Sequence, residues 1–349
     1  MTSLSDPRRN EALRRRPTMK NVADLAGVGV KTVSRVINRE PHVSEETIAR
    51  VRRAAEQLQY QPDMQAGNLR RADRRTDTLG LLVGSVANPF SAAVHRAVED
   101  IALERHVAVF ASSLDEDPER ELSSVNAFLR RRVDGLILTT IQPSQAYLGA
   151  QLDRGIPIVF VDRRPNGIEA DAVITENAEG ATGAVEHLLA LGHRRIAYLG
   201  DDEKIFTARE RKRGYLDTLR RHGVAPEDRL IVDNLDDEAK ASDAVARLLA
   251  LDDPPTAIFS AQNLITLGVI TSLRSAGAST RVALVGFDDV PMAAMLEPAI
   301  TVVAQDPASI GEIAARRVFD RLDGLDEPAR DFIVPTRLIV RGSGEIRPF

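Results

Sequence analysis

MKNVADLAGVGVKTVSRVIN, residues 19–38, reads as two short amphipathic helices joined by a tight turn. In the first helix Val22, Ala23 and Ala26 fall at i, i+1 and i+4 and share one apolar face. Thr18 precedes it as an N-cap that accepts an early backbone N–H, with Asn21 where a full capping box carries Glu or Gln. Gly27 tolerates positive φ and turns the chain, and apolar Val28 anchors the turn inward. The second helix faces Val33, Val36 and Ile37 inward and leaves Lys31, Thr32, Ser34 and Arg35 outside. This is the pattern of a helix-turn-helix, whose second helix enters the DNA major groove. An ordinary helical hairpin with a solvated charged face gives the same pattern. The next segment separates the two readings. Ser44-Glu45-Glu46 opens a third helix with a hydroxyl cap and two carboxylates at the positive dipole end, and Ile48, Val51, Ala55 and Leu58 mark its apolar face.

NVADLAGVGVKTVSRVIN (21–38), PHVSEET (41–47) and LQYQPDMQAGNLR (58–70) together closely resemble the DNA-binding headpiece and hinge of the lactose-repressor (LacI/GalR) family of bacterial transcription regulators. That resemblance implies that Val30, Lys31 and Arg35 read bases, while Thr32, Ser34 and Asn38 contact phosphate or sugar. Arg35 has a physical case of its own, since its planar fork pairs both acceptors on a guanine edge; Lys31 does so less rigidly. Gly29 stands where the family usually has serine at the N-cap of the recognition helix. Glycine is an acceptable cap, but it removes a hydroxyl from the phosphate side.

At 349 residues the chain is long enough for two or three domains with real cores. It holds no cysteine, which excludes disulfides, thiolate metal sites and cysteine nucleophiles and fits a reducing cytoplasm. No apolar run approaches a membrane span, and residues 1–17 are basic without an apolar secretion core, so they read as a disordered arm. The net charge of −5 is unevenly divided. Residues 1–75 carry 16 Lys and Arg against 9 Asp and Glu, and the remainder 30 against 42. A small basic domain on a large acidic one suits a protein that presents one end to nucleic acid.

Residues 18–60 thus form the DNA-binding domain and 61–77 a polar, basic hinge. The family's hinge helix folds when two subunits pair on their operator, and a leucine there wedges into the minor groove; Leu69 holds that position. Gly67 and Asp63 depart from the family's usual long polar residue and Asn, which weakens the expected hinge helix. A flexible linker with one stray leucine is the plainer reading of the same residues.

From residue 78 onward short apolar strands alternate with helices. TLGLLVG, VAVFASS, DGLILTT, PIVFVDRR, RIAYLGD, TAIFSAQ and VALVGFDD read as buried strands, with helical runs at 91–105, 178–191 and 241–251 between them. The fold class is therefore an all-α helix-turn-helix headpiece followed by an α/β core with parallel sheets. The resemblance covers nearly the whole chain after the arm. It implies a two-lobed, periplasmic-binding-protein-like core, with lobe 1 at about 78–174 plus 304–335 and lobe 2 at about 175–303 plus 336–349. The ligand lies between the lobes, and the chain crosses near 173–175, 301–305 and 334–336.

Ligands of open α/β sheets bind beyond the carboxyl ends of the strands. Asn88-Pro89-Phe90, Asp162-Arg163, the 207–211 segment, Ala261-Gln262-Asn263 and Asp288-Asp289 occupy such ends. By the resemblance Phe90 packs on the ligand, Arg209 grips ligand oxygens and Asp288 bonds the ligand; Arg163 and Asn263 complete the candidate effector site. Arginine donates in pairs and an ionised aspartate accepts in pairs, a set suited to hydroxyl-rich molecules. Asn263 replaces the family's aspartate, so the preferred ligand should differ from that of typical sugar-binding relatives. Taken singly, Phe90 reads equally as core, and Arg209 and Arg211 as surface charges.

No GxGxxG follows a strand, GVGVKT lacks phosphate-loop spacing, no GxSxG occurs, and the six histidines have no metal-ligand spacing. The reading is a cytoplasmic transcription regulator, not an enzyme, without metal or cofactor. It pairs as a homodimer, or a tetramer, on near-palindromic operator DNA, with dimer contacts from the first lobe including residues 91–105. Its effector is a small polar metabolite, a sugar or a derivative. A soluble sugar-binding transport protein and an α/β enzyme with a DNA-binding appendage are the alternatives.

Overall fold

The computed structural model describes residues 17–37, 40–60 and 75–348, in two compact units divided after Thr76. In the first unit, α1 (Met19–Ala26), α2 (Val30–Ile37) and α3 (Glu45–Gln57) bury Val22, Ala23, Val33, Val36, Val51 and Ala54 against one another. Asn21 completes the capping box in place of Glu or Gln. Its Oδ1 accepts from the Thr18 N–H at 2.9 Å, while Thr18 Oγ1 accepts from the Asn21 N–H at 3.4 Å. Gly27 takes φ 64°, which lets the Val28 N–H reach back to the Ala23 carbonyl at 3.1 Å. Ser44 caps α3 by accepting from the Thr47 N–H. The helix stops at Gln57, before Pro62, because Gln59 enters the left-handed region and Tyr60 N–H bonds the Ala55 carbonyl.

The second unit begins with β1 (Thr78–Val83), α4 (Pro89–Glu104), β2 (Ala108–Ser113), α5 (Pro118–Arg130) and β3 (Gly135–Leu138). The short α6 (Gly149–Leu152), β4 (Ile158–Val161) and β5 (Asp171–Thr175) follow. The chain crosses at Glu176 into α7 (Asn177–Ala190), β6 (Ile196–Leu199), α8 (Phe206–Arg221), β7 (Ile231–Val232) and α9 (Glu238–Leu249). Next come β8 (Ala257–Ser260), α10 (Asn263–Ser275), β9 (Ala283–Phe287) and β10 (Thr301–Ala304). It returns through Gln305 and Asp306 to α11 (Pro307–Leu322) and β11 (Asp331–Val334), then crosses again at Pro335 and Thr336 to β12 (Arg337–Ile339).

Two six-stranded sheets result, ordered β11-β5-β4-β3-β1-β2 and β12-β10-β9-β8-β6-β7. Every pairing is parallel except β10 with β12. Each sheet has an apolar cluster on both faces, which is why the central strands read as uninterrupted apolar runs. β2 departs from that reading. It is an edge strand with half of its residues exposed and none buried, and exposed Phe110 lies under the Arg131 guanidinium. Strand order reverses between β1 and β3 in one sheet and between β6 and β8 in the other. A crevice opens at the carboxyl ends of the strands at such switch points.

Candidate functional site

Two surfaces carry the sequence-predicted residues. On the first unit, α2 hides Val33 and Val36 and turns Lys31 and Arg35 to solvent, with Thr32 and Ser34 half-buried beside them. Val30, at the head of the same helix, is 45% exposed, although its side chain is apolar. The Gly29 carbonyl accepts from the N–H groups of Thr32 and Val33, so the first turn forms without a serine cap. Arg35 lies 3.7 Å from the Glu40 carboxylate, a loose surface ion pair that contributes little to stability. Asn38 and Leu69 lie outside the described residues.

The second surface is a cavity of about 410 Å³ between the two sheets of the core, within the usual range for small-molecule sites. It is built from the loops after β1, β2, β3, β4, β6, β7, β8, β9 and β10, around the two switch points. Phe90, Arg163 and Asp288 line it. Phe90 does double duty, since it also packs against the lobe-1 core. Asp288 is 8% exposed, has φ 74°, and accepts from Gln305 Nε2 at 2.6 Å.

Arg209 is a correction. It is exposed on α8, donates to the Glu203 carbonyl and lies over the Phe206 ring, and it does not line the cavity. Arg211 does. Two residues along a helix turn the side chain by about 200°, which carries Arg211 to the buried side. There it is 4% exposed, with its guanidinium 3.8 Å above the Phe287 ring, donating to Asn177 Oδ1 at 2.8 Å and to the Ala261 carbonyl at 2.7 Å.

Asn263 also lies elsewhere than expected. It is buried at the start of α10 and does not line the cavity; instead it exchanges two amide hydrogen bonds with Asn88. Its neighbour Gln262 faces the cavity and caps α10 by accepting from the N–H groups of Leu264 and Ile265.

Acidic groups at the strand ends went unread in the sequence. Glu116, Asp201 and Asp236 line the cavity with Asp162 and Asp288. Glu116 holds Arg163 through two bonds of 2.8 and 2.6 Å. Burial works against the Arg163 charge, but the Glu116 bonds more than offset it and hold the guanidinium above its ordinary value. Burial pushes the Asp162 carboxyl up, against the pull of Arg163 and Arg211, and it raises Asp201 in the same way. Among the described residues no helix is long and apolar enough to cross a membrane.

Comparison with known proteins gives a family match in each of the two units. Residues 18–63 match the model of bacterial regulatory proteins of the lacI family, and residues 185–344 match a periplasmic binding protein-like domain. The chain is 31% identical to the HTH-type transcriptional regulator GalR of Escherichia coli over 93% of its own length and 95% of the relative's. It is 32% identical to the ribose operon repressor of Halalkalibacterium halodurans, over 93% and 96%. A lac repressor dimer bound to operator and an anti-inducer superposes with a TM-score of 0.83 at 25% identity, covering 95% of this chain and 99% of that one.

Proposed function

We propose that this chain, which belongs to the lacI family of bacterial regulatory proteins and so is a DNA-binding transcription regulator, represses its target genes as a homodimer on a near-palindromic operator. Val30, Lys31 and Arg35 read base edges, Thr32, Ser34 and Asn38 hold the sugar-phosphate backbone, and Leu69 wedges the minor groove. A small polar metabolite, a sugar or sugar derivative, binds between the lobes against Phe90, Arg163, Arg211 and Asp288.

One observation carries the DNA reading: α2 leaves an apolar valine 45% exposed beside an outward lysine and arginine. The unit's own core gives Val30 no reason to face water, whereas a thymine methyl gives it one. Support for effector control comes from the cavity between lobes joined by three chain crossings. A ligand that touches both lobes fixes their closure, and closure changes how a second copy packs. Leu103 on α4, 69% exposed, offers part of such a packing face. Effector and operator then bias one shared equilibrium, and each alters the affinity of the other by the same factor.

The test is a gel shift of the full chain with DNA from upstream of its own gene, competed by random duplex. Retarded specific DNA that survives the competitor supports the reading. Equal competition by random duplex refutes it.

A further inference from the structure

We propose that the effector carries a protonated amine: the cleft is built for a small hydroxylated amine, of which an amino sugar is the type, and against a sugar acid. This rests on the reading of the cleft as an effector site and adds the charge of its occupant.

Six carboxylates line the cavity, from Asp115, Glu116, Asp162, Asp201, Asp236 and Asp288, against two cations, Arg163 and Arg211. Both cations are largely committed. Arg163 gives Nη1 and Nη2 to Glu116, and its buried Nε has no hydrogen-bond partner, with Asp162 Oδ2 3.6 Å away. Arg211 gives Nε to Asn177 and Nη1 to the Ala261 carbonyl, which leaves Nη2 for a ligand. Asp115 pairs with Arg120 and Asp236 with Lys240, neither of which lines the cavity. Asp201 and Asp288 have no ion-pair partner among the described residues. Asp201 accepts only from the Asp202 N–H, and Asp288 only from the Gln305 amide.

The neutral donors that remain, the Gln262 amide and the hydroxyls of Ser85, Thr139 and Thr207, carry no charge to balance these carboxylates. Two of the three helix starts at the cleft are closed by their own caps, Asn88 Oδ1 on the Phe90 N–H and Gln262 Oε1 on the Leu264 and Ile265 N–H groups, whereas α8 starts after Ile205 without a side-chain cap. Gln305 turns its donor to Asp288 and keeps a buried, unpartnered Oε1. The wall therefore carries an excess of negative charge over positive.

An ammonium group supplies three donors and the missing positive charge together. Ring hydroxyls then meet Arg211 Nη2 and the remaining acceptors. A carboxylate or phosphate ligand would face at least two uncompensated carboxylates at short range. The upward push of burial on Asp162 and Asp201 is the strain that a bound cation relieves.

The experiment uses the full-length protein with matched probes: glucosamine, glucose and glucuronate, then galactosamine, galactose and galacturonate. Calorimetry and thermal shift measure each affinity, while the gel shift without additives judges the DNA-binding reading separately. The expected result is an amine bound about tenfold or more tighter than its neutral partner, with the acid weakest. Asp201→Asn, checked by cooperative melting, should collapse the amine preference. A neutral sugar or acid that binds as tightly as the amine overturns the proposal. So does silence from all six probes, or an amine preference that survives both Asp201→Asn and Asp288→Asn.

Discussion

Asn88 and Asn263, 175 residues apart in sequence and in different lobes, trade amide hydrogen bonds: Asn88 Nδ2 donates to Asn263 Oδ1 at 3.2 Å, and Asn263 Nδ2 donates to Asn88 Oδ1 at 2.8 Å. Asn88 follows β1 and Asn263 follows β8, so the pair spans the mouth of the cleft from one switch point to the other. An aspartate at 263 would keep only the bond donated by Asn88. The asparagine makes the contact reciprocal and removes its dependence on carboxylate ionisation.

Replacing that clasp should open the core. Asn263→Ala deletes both bonds, worth ~1–3 kcal/mol together, and shifts the lobes toward a wider separation. Small-angle scattering reads this as a larger radius of gyration. An unchanged radius, with the variant folded, rules the clasp out as a determinant of closure.

On the DNA side, Arg35→Ala should cost ~1–3 kcal/mol on the cognate site and relax base preference at one position. Lys31→Ala should weaken binding with a smaller loss of discrimination. Binding measured on cognate and random duplexes decides between reading bases and merely attracting phosphate. Equal losses on both would leave Arg35 only the latter role.

Asp171 at the start of β5 should be a stability hinge point for the first lobe. It accepts from Arg317 Nε at 2.9 Å, from Arg321 Nε at 3.0 Å and from the Arg330 N–H at 3.0 Å, and both Asp171 and Arg317 are buried. Asp171→Asn leaves the buried Arg317 with only the more exposed Glu327 carboxylate, 3.2 Å from its Nη1, and should cost ~2–4 kcal/mol by urea unfolding. Burial pushes the Asp171 carboxyl up, but the bonds from Arg321, Arg317 and the Arg330 N–H pull it below the ordinary range. The unfolded chain thus takes up this proton first. The contribution is full above pH ~4 and is lost as pH falls toward the depressed folded value. Equal acid sensitivity of wild type and variant would contradict this.

A packing prediction concerns Gly214 on α8. A Cβ there would lie within contact distance of the Ala178 backbone carbonyl on α7, closer than real methyl groups come. Gly214→Ala should therefore destabilise by ~1–3 kcal/mol, as overpacked sites do. A melting temperature equal to the wild type's would show that α7 and α8 separate without cost.

The headpiece was legible almost residue by residue, because its caps, turn glycine and apolar spacing are local signals. Seven core strands were legible for the same reason. β7, β11 and β12 were not: β7 is two residues long, and β11 and β12 are edge strands with little buried surface. β5 and β10, though largely buried, read as crossings because the chain leaves the sheet directly after each. In the cleft, Phe90, Arg163 and Asp288 could be placed by their position after strands. The choice of Arg209 over Arg211 failed on helix phase. Ala208, Arg211, Tyr215 and Leu219 share one buried face at helical spacing, a signal present in the sequence. Glu116, Asp201 and Asp236 gave no comparable signal, since each reads as an ordinary loop acid until two sheets bring them together.

The threading of the core bears on how it is made. Lobe 1 needs α11 over its sheet and β11 at its edge, yet both are encoded after the main body of lobe 2. A nascent chain leaving the ribosome can close neither lobe until nearly all its residues have emerged, so the headpiece is finished while its regulator is still incomplete. A frameshift at residue 306 would release a chain able to form its helix-turn-helix but lacking α11, β11 and β12, with both lobes damaged at once.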